Sequence, residues 1–136
     1  MQPSTPEQQR VDILMRRADR DIQVAELIVQ ASPHLYEDAG FHCQQATEKY
    51  LKAVLIAATL PAPFTHNLVV LMASLRQASV VAFAQHEIDE ATVLTDFAVG
   101  LRYELDDAPS YTAADLLAMA DRFRQKLRPL AQAFLL

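Results

Sequence analysis

The sequence predicts an all-α protein, an up-and-down bundle of four to five helices. Three observations predict it. The 136 residues contain only two glycines, and Ala, Leu, Gln and Glu abound while β-branched runs are scarce. Apolar residues make up 51% of the chain, enough for one domain with a real core. They recur at spacings of three and four, the period of a helix face.

The first helix is expected over 7–31. Thr5, Pro6 and Glu7 form a start signal, and residues 1–6 are expected to fray. Val11, Leu14, Met15, Ala18, Ile22, Ala25, Ile28 and Val29 make its apolar stripe. "SPHLYEDAG" interrupts the pattern, and a second helix is expected over 36–59. "LPAPFTHN" is a turn with two prolines, in which Thr65 is the candidate cap of a third helix, 66–78. "QASVVAFAQ" is read as a connection. The fourth helix, 84–102, carries Ile88, Ala91, Leu94, Thr95, Ala98 and Leu101. "RYELDDAPSY" then reads as a loop, and "TAAD" at 112–115 as a capping box with Asp in place of Glu. Leu116, Ala120, Phe123, Leu127, Leu130 and Phe134 follow as a seam. No internal repeat or domain boundary is evident, so residues 1–136 are expected to form a single domain.

The second helix raises a functional question. In "FHCQQATEKYLKAVL", Cys43, Ala46, Tyr50, Ala53, Val54 and Ala57 share one face and can pack on the body of the protein. Gln44, Gln45, Glu48, Lys49 and Lys52 lie opposite, bracketed by Phe41 at one end and Leu55 and Ile56 at the other. A polar patch between large apolar residues suggests a surface that touches something. Phe41, Gln44, Glu48, Leu55 and Ile56 are therefore candidates for a subunit interface. Gln45, Lys49 and Lys52 are candidates for an anion or a partner helix. Glu48 reaches Lys52 at i+4, which neutralises one ammonium and leaves Lys49 available.

Composition removes several function classes. The net charge of −5 does not suit non-specific binding along nucleic acid, which a basic surface drives. Cys43 is the only cysteine, which rules out an internal disulfide framework and fits a reducing compartment; on the packing face it is expected to be a buried structural thiol. No apolar run approaches the roughly 20 residues of a membrane span, and "MQPSTPEQQR" has no apolar signal-peptide core, so a soluble cytoplasmic protein is expected. His34, His42, His66 and His86 are scattered without metal-ligand spacing, and both glycines are isolated, so neither a metal site, a phosphate loop nor a cofactor is expected.

Taken together, "FHCQQATEKYLKAVL", "THNL" at 65–68 and "LRYELDD" at 101–107 resemble HEPN domains, the nucleotide-binding family of higher eukaryotes and prokaryotes. The first motif is carried by Phe41, Gln44, Gln45, Ala46, Glu48, Lys49, Leu51, Lys52 and Ala53. The resemblance spans about residues 10–130 and implies a helical fold, a homodimer, and a partnership with a minimal nucleotidyltransferase in a toxin–antitoxin-like pair. Many members are metal-independent ribonucleases with an Arg-x(4–6)-His motif. Here Arg102 stands in the motif's Arg position, but Asp107, Ala108 and Pro109 occupy the places of its His. The expected function is accordingly that of a non-catalytic module binding nucleotide or RNA through Gln45, Lys49, Lys52, Arg102 and Tyr103. The alternative is a divergent ribonuclease using Arg102 and His66.

Overall fold

Among the described residues, a central helix surrounded by four others explains most of the burial pattern. The computed structural model describes residues 5–98 and 111–136. The helices are α1 (Pro6–Ala31), α2 (Tyr36–Ala57), α3 (Leu68–Gln77), α4 (Gln85–Thr95) and α5 (Ala113–Phe134). They form an all-α bundle. α2 packs against α1 and α5, α1 also touches α5, and the shorter α3 and α4 close the remaining side of α2.

The local signals operate largely as expected. Thr5 caps α1 by accepting from the Gln8 amide at 3.0 Å, and Gln8 Oε1 accepts from the Thr5 amide at 3.2 Å. Thr5 and Pro6 thus belong to the capped start of α1 rather than to a frayed end. Residues 1–4 lie outside the described residues. Thr112 and Asp115 form the reciprocal box that starts α5. Asp serves in it because its shorter carboxylate still reaches the Thr112 amide, at 2.9 Å.

Other boundaries differ for identifiable reasons. α3 is capped by Asn67, whose Oδ1 accepts from Val69, while Thr65 accepts one step upstream from Asn67 in a side-chain turn. α2 stops at Ala57 because Thr59 adopts φ 58°, and its amide and that of Leu60 bond back to Ile56 and Leu55. Ser79, at φ 59°, ends α3 in the same way. In α4, regular helix ends at Thr95; the expected continuation through 99–102 lies outside the described residues. Along α5, Leu116, Ala120, Phe123 and Leu127 are buried, but Leu130 is 43% exposed and Ala131 takes its place inside. Seven residues turn a helix slightly less than two full turns, so the inward position drifts one residue later toward the end.

The core explains the fate of the α2 face. Cys43, Ala46, Tyr50, Ala53 and Val54 are buried, as their spacing predicts, and Leu51, Leu55 and Ile56 are buried too. The inference that Leu55 and Ile56 lie on a face the chain's own core does not need is thereby overturned. α2 is surrounded, so nearly every side of it meets another element.

Candidate functional site

The polar face of α2 is organised around two carboxylates. Asp21 projects from α1, where it sits between the stripe residues Ala18 and Ile22, and is itself buried. Its two oxygens lie 2.9 Å from His42 Nδ1 and 2.5 Å from Lys49 Nζ. Glu48, directly before Lys49 on α2, is buried and gathers three donors. Oε1 lies 2.8 Å from His66 Nδ1 and 3.1 Å from Gln44 Nε2, and Oε2 accepts from Lys52 at 2.9 Å.

Gln44 completes the second cluster. It is fully buried, donates to the His66 carbonyl at 2.8 Å, and accepts from Gln45 Nε2 at 2.8 Å. A buried amide must find such partners, and here they tie α2 to the segment that leads into α3. Burial pushes the Glu48 carboxyl up, but the hydrogen bonds from His66, Lys52 and Gln44 and the charge of Lys52 outweigh it and hold it below the ordinary carboxylate range. Glu48 is thus ionised at neutral pH and can only accept. The His66 proton that faces it is therefore on Nδ1, and the ring is half-exposed.

A third carboxylate lies on the other side of α1. Asp19 accepts from Tyr50 Oη at 2.5 Å and from Arg128 Nε and Nη2 at 3.0 and 2.8 Å. Burial raises its pKa, but the hydrogen bonds from Arg128 and Tyr50 and the nearby guanidinium charges win, and the net shift is downward. The cluster pins α1, α2 and α5 together. Tyr50, whose own pKa is raised by burial and by Asp19, stays protonated as the donor.

The residues singled out from the sequence are thus partly reunited. Gln44, Gln45, Glu48, Lys52 and His66 form one network, and Lys49 joins Asp21 instead. The expectation that Lys49 remains available is corrected, because α1 supplies a carboxylate that spacing within α2 cannot reveal. Gln44 and Leu55, each with 0% exposure, are committed to the chain's own interior and not to a subunit contact. Phe41 is half-buried, with its ring edge-on to His42 at 5.3 Å between centroids. Arg102 and Tyr103 lie outside the described residues.

Sequence reasoning missed Asp21, His42 and the Asp19–Arg128 pair. Asp21 left one signal, an acidic residue set into an apolar stripe. The pairing of Asp19 with Arg128 spans 109 positions and left none. Burial and the Asp21 charge push the Cys43 thiol up to about 12, so it is an inert core residue. No group of three or more His, Cys, Asp or Glu among the described residues could hold a metal ion, and no described helix is long and apolar enough to cross a membrane.

Comparison with known proteins complements this geometry. The family model described as HEPN domain matches residues 11–130. The fold is similar to the crystal structure of TT1696 from Thermus thermophilus, at a TM-score of 0.68 and 23% identity, covering 93% of this chain and 98% of that one. At that identity the likeness concerns the fold. No curated protein matches the chain.

Proposed function

Because the chain belongs to the HEPN domain family, we propose that it is a non-catalytic binding module: a homodimer that accompanies a minimal nucleotidyltransferase in a toxin–antitoxin-like pair and binds nucleotide or RNA. Family membership supports a nucleotide- or RNA-related role. The observation that carries the non-catalytic reading is Asp107, Ala108 and Pro109 standing where a ribonuclease of this family places its His after Arg102. Metal-independent cleavage needs an acid/base group that titrates near neutrality, and none of these three residues supplies one.

The proposed ligand surface is the rim of the α2 network: Gln45, Lys49 and Lys52, joined by Arg102 and Tyr103. Asp21 and Glu48 already neutralise the two lysines. Those lysines alone would hold an anion weakly, so Arg102 supplies the decisive positive charge. Phe41 is the interface candidate that keeps a partly exposed side chain.

One observation favours the alternative. Glu48 holds the Nδ1 side of His66, as carboxylates hold imidazole bases in many enzymes. The experiment is incubation of the purified protein with single-stranded and transfer RNA without metal. The expected outcome is no cleavage, with RNA retained in a salt-sensitive manner that Arg102→Ala weakens. Cleavage that disappears in His66→Ala or Arg102→Ala would establish the ribonuclease reading instead.

A further inference from the structure

We propose that the cleft between α1 and the α2–α3 connection binds a small planar anion, an aromatic or heteroaromatic ring carrying one carboxylate or phosphate. The cleft holds about 280 Å³, near the lower end of small-ligand sites. Arg10 and Ile13 reach it from one face of α1, Lys52 and Ile56 from one face of α2, and Phe64 from the connection. α1 and the end of α2 with its following connection, about forty residues apart in sequence, therefore build it.

Two features on its rim have no use among the described residues. Phe64 is fully exposed, at 106%, and contributes nothing to the core. Pro61 and Pro63 precede it, and the Thr65 amide closes a tight turn on the Pro63 carbonyl at 3.0 Å, so the ring is presented by a constrained backbone. Arg10 is exposed and has no ion pair or side-chain hydrogen bond among the described residues. Lys52, by contrast, is matched by Glu48. The cleft thus carries one unmatched positive charge beside an open aromatic face and an apolar floor made by Ile56. A guanidinium grips a carboxylate or phosphate through paired N–H groups, and a flat ring stacks on Phe64.

Other cavities lack this combination. The cleft between α1 and α5 lines up Arg124 and Arg128 with Asp19 and Glu26, and Asp19 already grips Arg128. The cavity under α3 and α4 holds only about 20 Å³.

The site shares Lys52 with the edge of the α2 rim proposed for RNA, but its key residues, Arg10 and Phe64, belong to neither the network nor the Arg102 segment. Calorimetric titration of the full chain with adenosine monophosphate and with indole-3-carboxylate tests the two sources of the same chemistry. Adenosine and inorganic phosphate test the ring and the anion alone. At least one ring-bearing anion is expected to bind about tenfold or more tighter than either of those controls. Arg10→Ala and Phe64→Ala are each expected to weaken it about tenfold or more, with unchanged circular dichroism because both side chains are exposed. Leu27→Ala, also exposed on α1, should leave affinity intact. The proposal is overturned if neither ring-bearing anion binds at millimolar concentration, or if both variants bind as the parent does. It is equally overturned if Phe64→Ala instead converts a dimer to a monomer and no ligand binds, which would make the face a contact between copies. Loss of RNA retention in Arg102→Ala bears on the other site alone.

Discussion

At the scale of the residue, Glu48 decides the character of the α2 face. A buried carboxylate with three donors is stable only as a set, since removing the charge leaves Lys52, His66 and Gln44 without their common acceptor. Glu48→Gln is expected to destabilise the chain by about 1–3 kcal/mol at neutral pH, measured by urea unfolding. Its pKa is lowered in the folded state, so its contribution is present above the unfolded carboxylate value of about 4.3 and is lost as pH falls through the lower folded value. The gap between parent and variant should therefore narrow below pH 4. A gap unchanged by acid would mean that the glutamate acts by shape and not by charge.

At the scale of the element, α2 is shaped by a glycine near its start. A Cβ on Gly40 would lie 2.4–2.8 Å from atoms of the Phe97 ring. That ring packs edge-on against Tyr36, at 6.5 Å between centroids. Glycine is needed here for close approach and not for an unusual backbone angle. Gly40→Ala would gain up to about 1 kcal/mol in helix propensity, but the overpacking costs about 1–3 kcal/mol and should win. The urea midpoint is expected to fall, and adding Phe97→Leu should recover part of the loss. A stabilised single variant would show that Phe97 can move aside without cost. Glu87 is a second element-scale device: it accepts from the Ala84 amide at the start of α4 and from Lys126 of α5 at 2.8 Å, so one side chain both caps a helix and docks it.

At the scale of the whole molecule, α1, α2 and α5 form the main body, and the Asp19–Tyr50–Arg128 cluster joins all three. Since this body consumes Leu55 and Ile56, a dimer through α2 must rest on its N-terminal half, where Phe41 and His42 are partly exposed. Light scattering is expected to give a dimer mass for the parent at micromolar concentrations. Phe41→Glu should shift it toward monomer while lowering the unfolding temperature only slightly. A monomeric parent, or a variant that unfolds before it dissociates, would remove α2 as the contact.

The bundle was legible in the sequence because its signals are local. The stripe of α1, the Thr5 and Thr112 caps and the packing face of α2 each depend on residues within a turn or two of one another. The association of Gln44, Glu48 and Lys52 was legible for the same reason, as neighbours on one helix. The stops of α2 and α3 were less so, because Thr59 and Ser79 enter the left-handed region without a glycine to announce it. Only the tertiary structure decided which carboxylate each cation meets. Asp21 reaches Lys49 across 28 positions, and His66 reaches back across 18 to Glu48. Spacing along one helix shows which side chains share a face, but not what that face meets. Here helices cover α2 on several sides, and a stripe that reads as a free surface became the interior of the chain.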